Sequence, residues 1–144
     1  MNNSNFSHDG IHDTFTNLAA PNYFYEELNR LISRYERSKT EFRIINITFK
    51  GVKNGHESEI LEMAALLRSV VRGEDLAVRL GSFEFGLLIN GSHYESLLQR
   101  IEESWNNSVD HKIPLIFKIG KPEEGINVCR YSTKWMIPRK KSFK

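Results

Sequence analysis

The chain has 144 residues, of which 40% are hydrophobic, 26% charged and 11% aromatic, the composition of one globular domain with too little chain for two. A mean hydropathy of -0.45, with no apolar run near the roughly 20 residues of a spanning helix, excludes a helical membrane protein. One cysteine, Cys129, and five scattered histidines give neither an internal disulfide nor a zinc-ligand spacing, and fit a reducing, cytoplasmic setting with no metal or cofactor.

The net charge of +2 is uneven: residues 134–144 carry five basic side chains and no acid, while the rest carries 15 basic and 18 acidic ones. A basic tail from 133 to 144 therefore follows a mildly acidic body, and it reads as a solvated terminus rather than a nucleic-acid arm. Residues 1–12 are rich in Asn, Ser and His. They lack the basic and apolar regions of a secretory signal and read as a disordered segment.

From there helices and strands alternate. Pro21 suits the first turn of a helix, and Phe24, Leu28, Leu31, Ile32 and Tyr35 fall on one helical face. Phe42 to Phe49, FRIINITF, is β-branched and aromatic enough for a central strand. Its period of two puts Asn46 and Thr48 on one face and Ile45, Ile47 and Phe49 on the other. Ile60, Ala64, Leu67 and Val71 mark a second helix. Leu76–Leu80 and Phe83–Ile89 are short strands about a Gly81-Ser82 turn. Tyr94, Leu97, Leu98, Ile101 and Trp105 mark a third helix, Ile113–Ile119 a fourth strand, and beyond Gly125 the pattern decays. The order α-β-α-β-β-α-β predicts an α+β sandwich, helices covering a mostly antiparallel sheet.

The stretch RGEDLAVRLGSFEF, Arg72 to Phe85, resembles the signature of GGDEF domains, the diguanylate cyclase family. There a strand-turn-strand bears Gly-Gly-Asp/Glu-Glu-Phe, preceded by Arg-x-x-Asp in the register that Arg72, Asp75 and Gly81 keep here. DTFTNLAAPNYF, Asp13 to Phe24, resembles the family's D-x-L-T-G-L-x-N-R-x-x-F. NITFK, NGH and EILEMAALLRSVVR resemble its D-I-D-x-F-K, G-H-x-x-G-D and following helix. The resemblance spans roughly 13 to 120 and implies the family's palm-like sandwich over residues 13–132. The C-terminal end is shortened, since the family's last helix and strand need more chain than follows Gly120.

The resemblance also implies where chemistry would sit, and there the sequence departs from it. The family joins two GTP molecules around divalent metal, held by carboxylates from the first strand and from the third and fourth signature positions. Here these positions hold Asn46, Phe83 and Glu84, so two charged oxygen ligands of a hard-cation site are lost. In the degenerate signature Gly81, Ser82, Phe83, Glu84, Phe85, the second glycine is Ser82. The nucleotide-reading Asn becomes Ala20, and the Asp of G-H-x-x-G-D becomes Ser58. His56 is left to shape its loop. What survives is Arg72-x-x-Asp75, the family's inhibitory site for cyclic di-GMP, with Arg100 on the next helix as the second arginine. An Arg fork can donate to guanine O6 and N7, and a carboxylate can accept from guanine N1-H and the amine. Both Arg72 and Asp75 are expected on the turn, pointing outward. Phe83 is expected to fill the vacated nucleotide cleft.

The expected function is a catalytically inactive receptor for cyclic di-GMP that relays to a protein partner, as a monomer or a dimer. The alternative is an interaction module without nucleotide binding, in which Arg72 and Asp75 only cap a helix and pair with each other. An active cyclase is the remaining reading, and the lost carboxylates count against it.

Overall fold

A computed structural model of the chain describes residues 12–107, 113–122 and 137–138. Its elements are α1 (Pro21–Ser38), β1 (Phe42–Phe49), α2 (Glu57–Val70), β2 (Leu76–Gly81), β3 (Glu84–Asn90), α3 (Glu95–Asn107), β4 (Leu115–Gly120) and β5 (Ile137–Pro138). The strands form one sheet in the order β2-β3-β1-β4-β5, and each adjacent pair is antiparallel. This is the expected α+β sandwich, with β1 at its centre and little beyond β4 among the described residues. The two-residue β5 had no sequence signal. The terminal segments expected at 1–12 and 133–144 lie almost wholly outside the described residues.

Two cores form because β1 alternates. Ile45, Ile47 and Phe49 face α2 and α3, joining Ile60, Met63, Leu67, Leu98, Ile101 and Trp105. Phe42 and Ile44 face α1, joining Phe24, Leu28, Leu31 and Ile32. Each such side chain, fully buried, contributes about 1.5–3 kcal/mol. Asn46 and Thr48 fall on the α1 face, so the polar positions of β1 lie beyond the apolar patch that α1 covers.

Pro21 opens α1 with its φ already helical. The helix stops at Lys39, which adopts φ 57° and donates its N–H to the Tyr35 carbonyl, the left-handed stop that usually recruits glycine.

The β2–β3 connection differs by one residue from expectation: the turn is Ser82-Phe83, and the register slips between Arg79 and Gly81. The side chain inside the bend gives the reason. Arg79 is fully buried. Its Nε and Nη2 donate to the carbonyls of Gly81 and Ser82, both at 3.1 Å, and Nη1 meets the Asp13 carboxylate at 3.2 and 3.3 Å. Asp13 is equally buried, and its Oδ2 accepts from the Thr16 N–H and hydroxyl at 2.8 and 2.7 Å. The turn so built carries Ala19 along the outer edge of β2, where it exchanges hydrogen bonds with Ala77 and Arg79. An edge that would otherwise offer free backbone groups is covered.

Candidate functional site

The turn between α2 and β2 is made by a simple interruption. Val71 is extended (ψ 148°) and ends the helix, and the Asp75 N–H donates to the Arg72 carbonyl at 2.9 Å. Arg72 points outward with its side chain 64% exposed, and its guanidinium lies 3.4 Å from Glu74 and 3.6 Å from Asp75. The expectation of two outward side chains holds for Arg72 and fails for Asp75, whose side chain is 3% exposed. Asp75 Oδ1 accepts the backbone N–H of Asn90 at 3.0 Å. The carboxylate sits beside the end of β3 and takes up a donor there, which draws it inward.

Asn90 is the hub of this corner. Its Oδ1 accepts from Arg34 Nη2 at 2.8 Å, and its Nδ2 donates to the Glu74 carbonyl. The side chain thus joins α1 to the turn that carries Arg72. Between them lies a cavity of about 360 Å³, walled by Tyr23, Glu27, Arg30 and Arg34 of α1, Gly73 and Glu74 of the turn, and Asn90, with leucines behind them; Arg30 is ion-paired with Glu27. Arg34 Nε is buried without a hydrogen-bond partner. A guanidinium has five donors in a fixed fork, and a buried donor left unpaired is costly enough that native proteins rarely keep one. Chemically, the corner is mixed: the guanidiniums of Arg30 and Arg34 share the wall with the carboxylates of Glu27 and Glu74, and among the described residues Arg34 is the one of the two arginines without an acidic partner there.

The sequence-level site is only partly assembled here. Arg72 and Asp75 share the turn, and residues 73 and 74 between them reach the cavity wall. Arg100 is exposed on α3, which packs with α2 over the face opposite α1, and it is not on that wall. Arg34 and Asn90 were missed. The available signal was the i, i+4 pair Arg30 and Arg34 on the flank of an amphipathic helix, which a solvated face explains equally well.

The signature hairpin is built differently. Asn46 is 1% exposed; its Nδ2 donates to Glu84 Oε2 at 2.6 Å, and its Oδ1 accepts the Thr48 hydroxyl at 2.9 Å. Phe83 is half-buried, 6.3 Å from the Phe49 ring and edge-on to His56 at 6.5 Å. Phe85 is in the core, 5.7 Å from Phe49. His56 takes φ 60° at the N-terminus of α2, its carbonyl accepting from Ile60 and its Nδ1 lying 3.6 Å from Glu59. Ala20 is fully buried before α1, and Ser58 is exposed. Among the described residues no three His, Cys, Asp or Glu side chains gather where they could hold a metal ion, and no helix is long and apolar enough to cross a membrane.

Comparison with known proteins gives this corner and hairpin a context. The family model described as "Diguanylate cyclase, GGDEF domain" matches residues 10–116. A probable diguanylate cyclase of Escherichia coli K12, DgcE, is 32% identical over a 98-residue alignment that covers 62% of this chain and 9% of that protein. The chain thus spans about a tenth of that relative's length. The GGDEF domain of DgcB from Caulobacter crescentus, crystallised with c-di-GMP, superposes with a TM-score of 0.74 at 19% identity, covering 90% of this chain and 85% of that one. The diguanylate cyclase SiaD of Pseudomonas aeruginosa, in complex with its activator SiaC, gives 0.68 at 21% identity over 83% of this chain and 52% of its own. At these identities the solved structures speak for the fold.

Proposed function

The chain belongs to the GGDEF family, and from that premise we propose that it is a receptor for cyclic di-GMP without cyclase activity, acting through a protein partner. The observation that carries the reading is the cavity against the Arg72 turn, with Arg34 on its wall. Its 360 Å³ lies at the small end of the roughly 300–1,000 Å³ of ligand sites. It suits one base or phosphate of a larger ligand whose remainder lies outside against Arg72. In this reading Arg72 forks onto a guanine edge or a phosphate, and Arg34 supplies the second cationic fork in place of the Arg100 of the sequence expectation. Asp75 holds the turn through Asn90, its Oδ2 facing Arg72. The DgcB domain crystallised with c-di-GMP and the SiaD–SiaC complex are consistent with ligand and partner, respectively.

The inactive half of the reading rests on the hairpin. Joining two GTP molecules calls for divalent metal to neutralise triphosphate charge. In this chain Asn46 and Phe83 carry no charge, and Glu84 is hydrogen-bonded to Asn46. This donor set does not fit Mg²⁺, which takes near-octahedral oxygen ligation.

A second reading, an interaction module without nucleotide, draws on Asp75, whose engagement with Asn90 is what a purely structural turn would also show. Calorimetric titration of cyclic di-GMP into the purified chain separates the two. The receptor reading expects saturable heat at micromolar ligand that Arg34→Ala reduces. Absence of heat at tens of micromolar transfers the function to the module. Incubation with GTP and Mg²⁺ or Mn²⁺ is expected to yield no cyclic di-GMP, and turnover that Glu84→Ala abolishes would overturn the inactive half.

A further inference from the structure

We infer that the Asn46 side chain is a built-in replacement for a cation: its amide hydrogen ties Glu84 to the central strand, so that this face of the sheet is complete without a divalent ion and admits none. The inference rests on the inactive half of the reading above and is independent of the cyclic di-GMP half.

The geometry is specific. Glu84 stands opposite Thr48 in the β1–β3 register, and Asn46 stands opposite Gly86. The 2.6 Å bond from Asn46 Nδ2 to Glu84 Oε2 therefore runs diagonally across two strands. It joins the first residue after the Ser82-Phe83 turn to the middle of the sheet. The amide has one workable orientation. If its oxygen and nitrogen were exchanged, a carbonyl oxygen would face the Glu84 carboxylate, and two acceptors at 2.6 Å repel. The Thr48 hydroxyl, which can donate or accept, donates to Oδ1 at 2.9 Å in this orientation. Asn46 is 1% exposed, so water competes little for either bond and the charge-assisted one is strong. On the other flank of Asn46, Lys118 occupies the paired position of β4, so the residue in register on the neighbouring strand of the same face is basic rather than a second carboxylate. A single carboxylate, one oxygen of which already accepts an amide hydrogen, is one ligand where a hard cation takes roughly six or more oxygens.

The prediction is that one atom type decides the metal preference. Replacing the amide by a carboxylate removes the donor and sets two acceptors against each other, the arrangement a divalent ion relieves. The test uses the full chain, with Mn²⁺ as the probe. Thermal unfolding is measured in EDTA and in millimolar MnCl2, and binding is read directly from the loss of free Mn²⁺ signal in electron paramagnetic resonance. The wild type is expected to melt at the same temperature in both and to leave the Mn²⁺ signal unchanged. Asn46→Asp is expected to melt several degrees lower in EDTA, to recover in Mn²⁺, and to bind the ion. Adding Glu84→Gln to that variant is expected to remove both the binding and the recovery. Wild type that binds Mn²⁺, with the binding lost in Glu84→Gln, would overturn the inference. So would Asn46→Asp that takes up no Mn²⁺ in resonance, which reads binding whether or not the melt in EDTA can be followed. A failed cyclic di-GMP titration would leave all of these outcomes unmoved.

Discussion

Two arginines near the start and the middle of β2 stand in opposite states. Arg72, on the turn before the strand, has its side chain 64% exposed and meets its acidic neighbours only at 3.4 and 3.6 Å. Arg79, within the strand, is fully buried on the equally buried Asp13. Burial draws the Arg79 pKa below its ordinary value, and the Asp13 charge and hydrogen bond pull it back up; at neutral pH it is a cation. The contrast separates two uses of one residue type. Arg79 is consumed by the fold, its fork filled by a carboxylate and two turn carbonyls, while Arg72 leaves most of its fork to solvent. The same contrast holds for the two regions they serve. The hairpin is closed by Arg79, Asn46 and Phe83, and the corner at Arg72 keeps a cavity and the unpaired donor of Arg34.

The sharpest way to break this comparison is Arg79→Ala. It leaves the Asp13 carboxylate buried without its counter-charge and unties the carbonyls of Gly81 and Ser82. A loss of about 3–5 kcal/mol is expected, as for breaking other buried pairs, measured as the drop in urea unfolding free energy. A change no larger than that of Arg72→Ala would mean that the buried pair contributes nothing to the hairpin.

Next in size is ligand affinity. Arg34→Ala and Arg72→Ala are each expected to weaken cyclic di-GMP by about 1–3 kcal/mol, roughly five- to hundredfold, the range for losing a charge-assisted or bidentate contact. Titration calorimetry reads both. Loss of affinity in Arg72→Ala alone would place the ligand on the outer surface of the turn and take the cavity out of the site. Loss in Arg34→Ala alone would put it inside and leave Arg72 as a bystander.

The sequence carried the fold further than the site, for reasons these residues show. FRIINITF writes both faces of β1 in its alternation, because burial on two sides demands it, and the helices follow from single apolar stripes. The hairpin slipped by one because Gly81-Ser82 looks like a turn, whereas the guanidinium of Arg79 moves the bend to Ser82-Phe83. A local pattern holds no trace of a side chain that grips the turn from within. Arg72 and Asp75 were legible as a motif in register with the signature. The inward course of Asp75 was not, since it depends on the N–H of Asn90, a partner distant in sequence. Arg34 and Asn90 meet across a still wider separation, and the local mark on Arg34, its i, i+4 spacing from Arg30, reads equally well as a solvated helix face.

A smaller effect tests the closed side. Phe83 stands where a carboxylate is expected from the signature, half-buried against Phe49 and His56. Phe83→Ala removes part of an aromatic contact rather than a full core residue and is expected to cost about 1–2 kcal/mol. A loss below the error of the urea measurement would show that the ring rests on the surface, and that the hairpin is closed by Arg79 and Asn46 alone.

The smallest expected effect is the most discriminating for the open side. Arg72→Ala should change unfolding free energy by no more than about 0.5 kcal/mol, as for surface positions whose ion pairs are long and solvent-screened. Asp75→Ala, on the same turn, strips the acceptor from the Asn90 N–H and should cost about 1–3 kcal/mol. The pair of measurements therefore reads the division of labour within the motif: one residue builds the turn and the other is displayed by it. If Arg72→Ala proves as costly as Asp75→Ala, the long contacts to Glu74 and Asp75 hold the turn together. The exposed fork then belongs to the fold, as that of Arg79 does, and the turn becomes a helix stop with no ligand to explain.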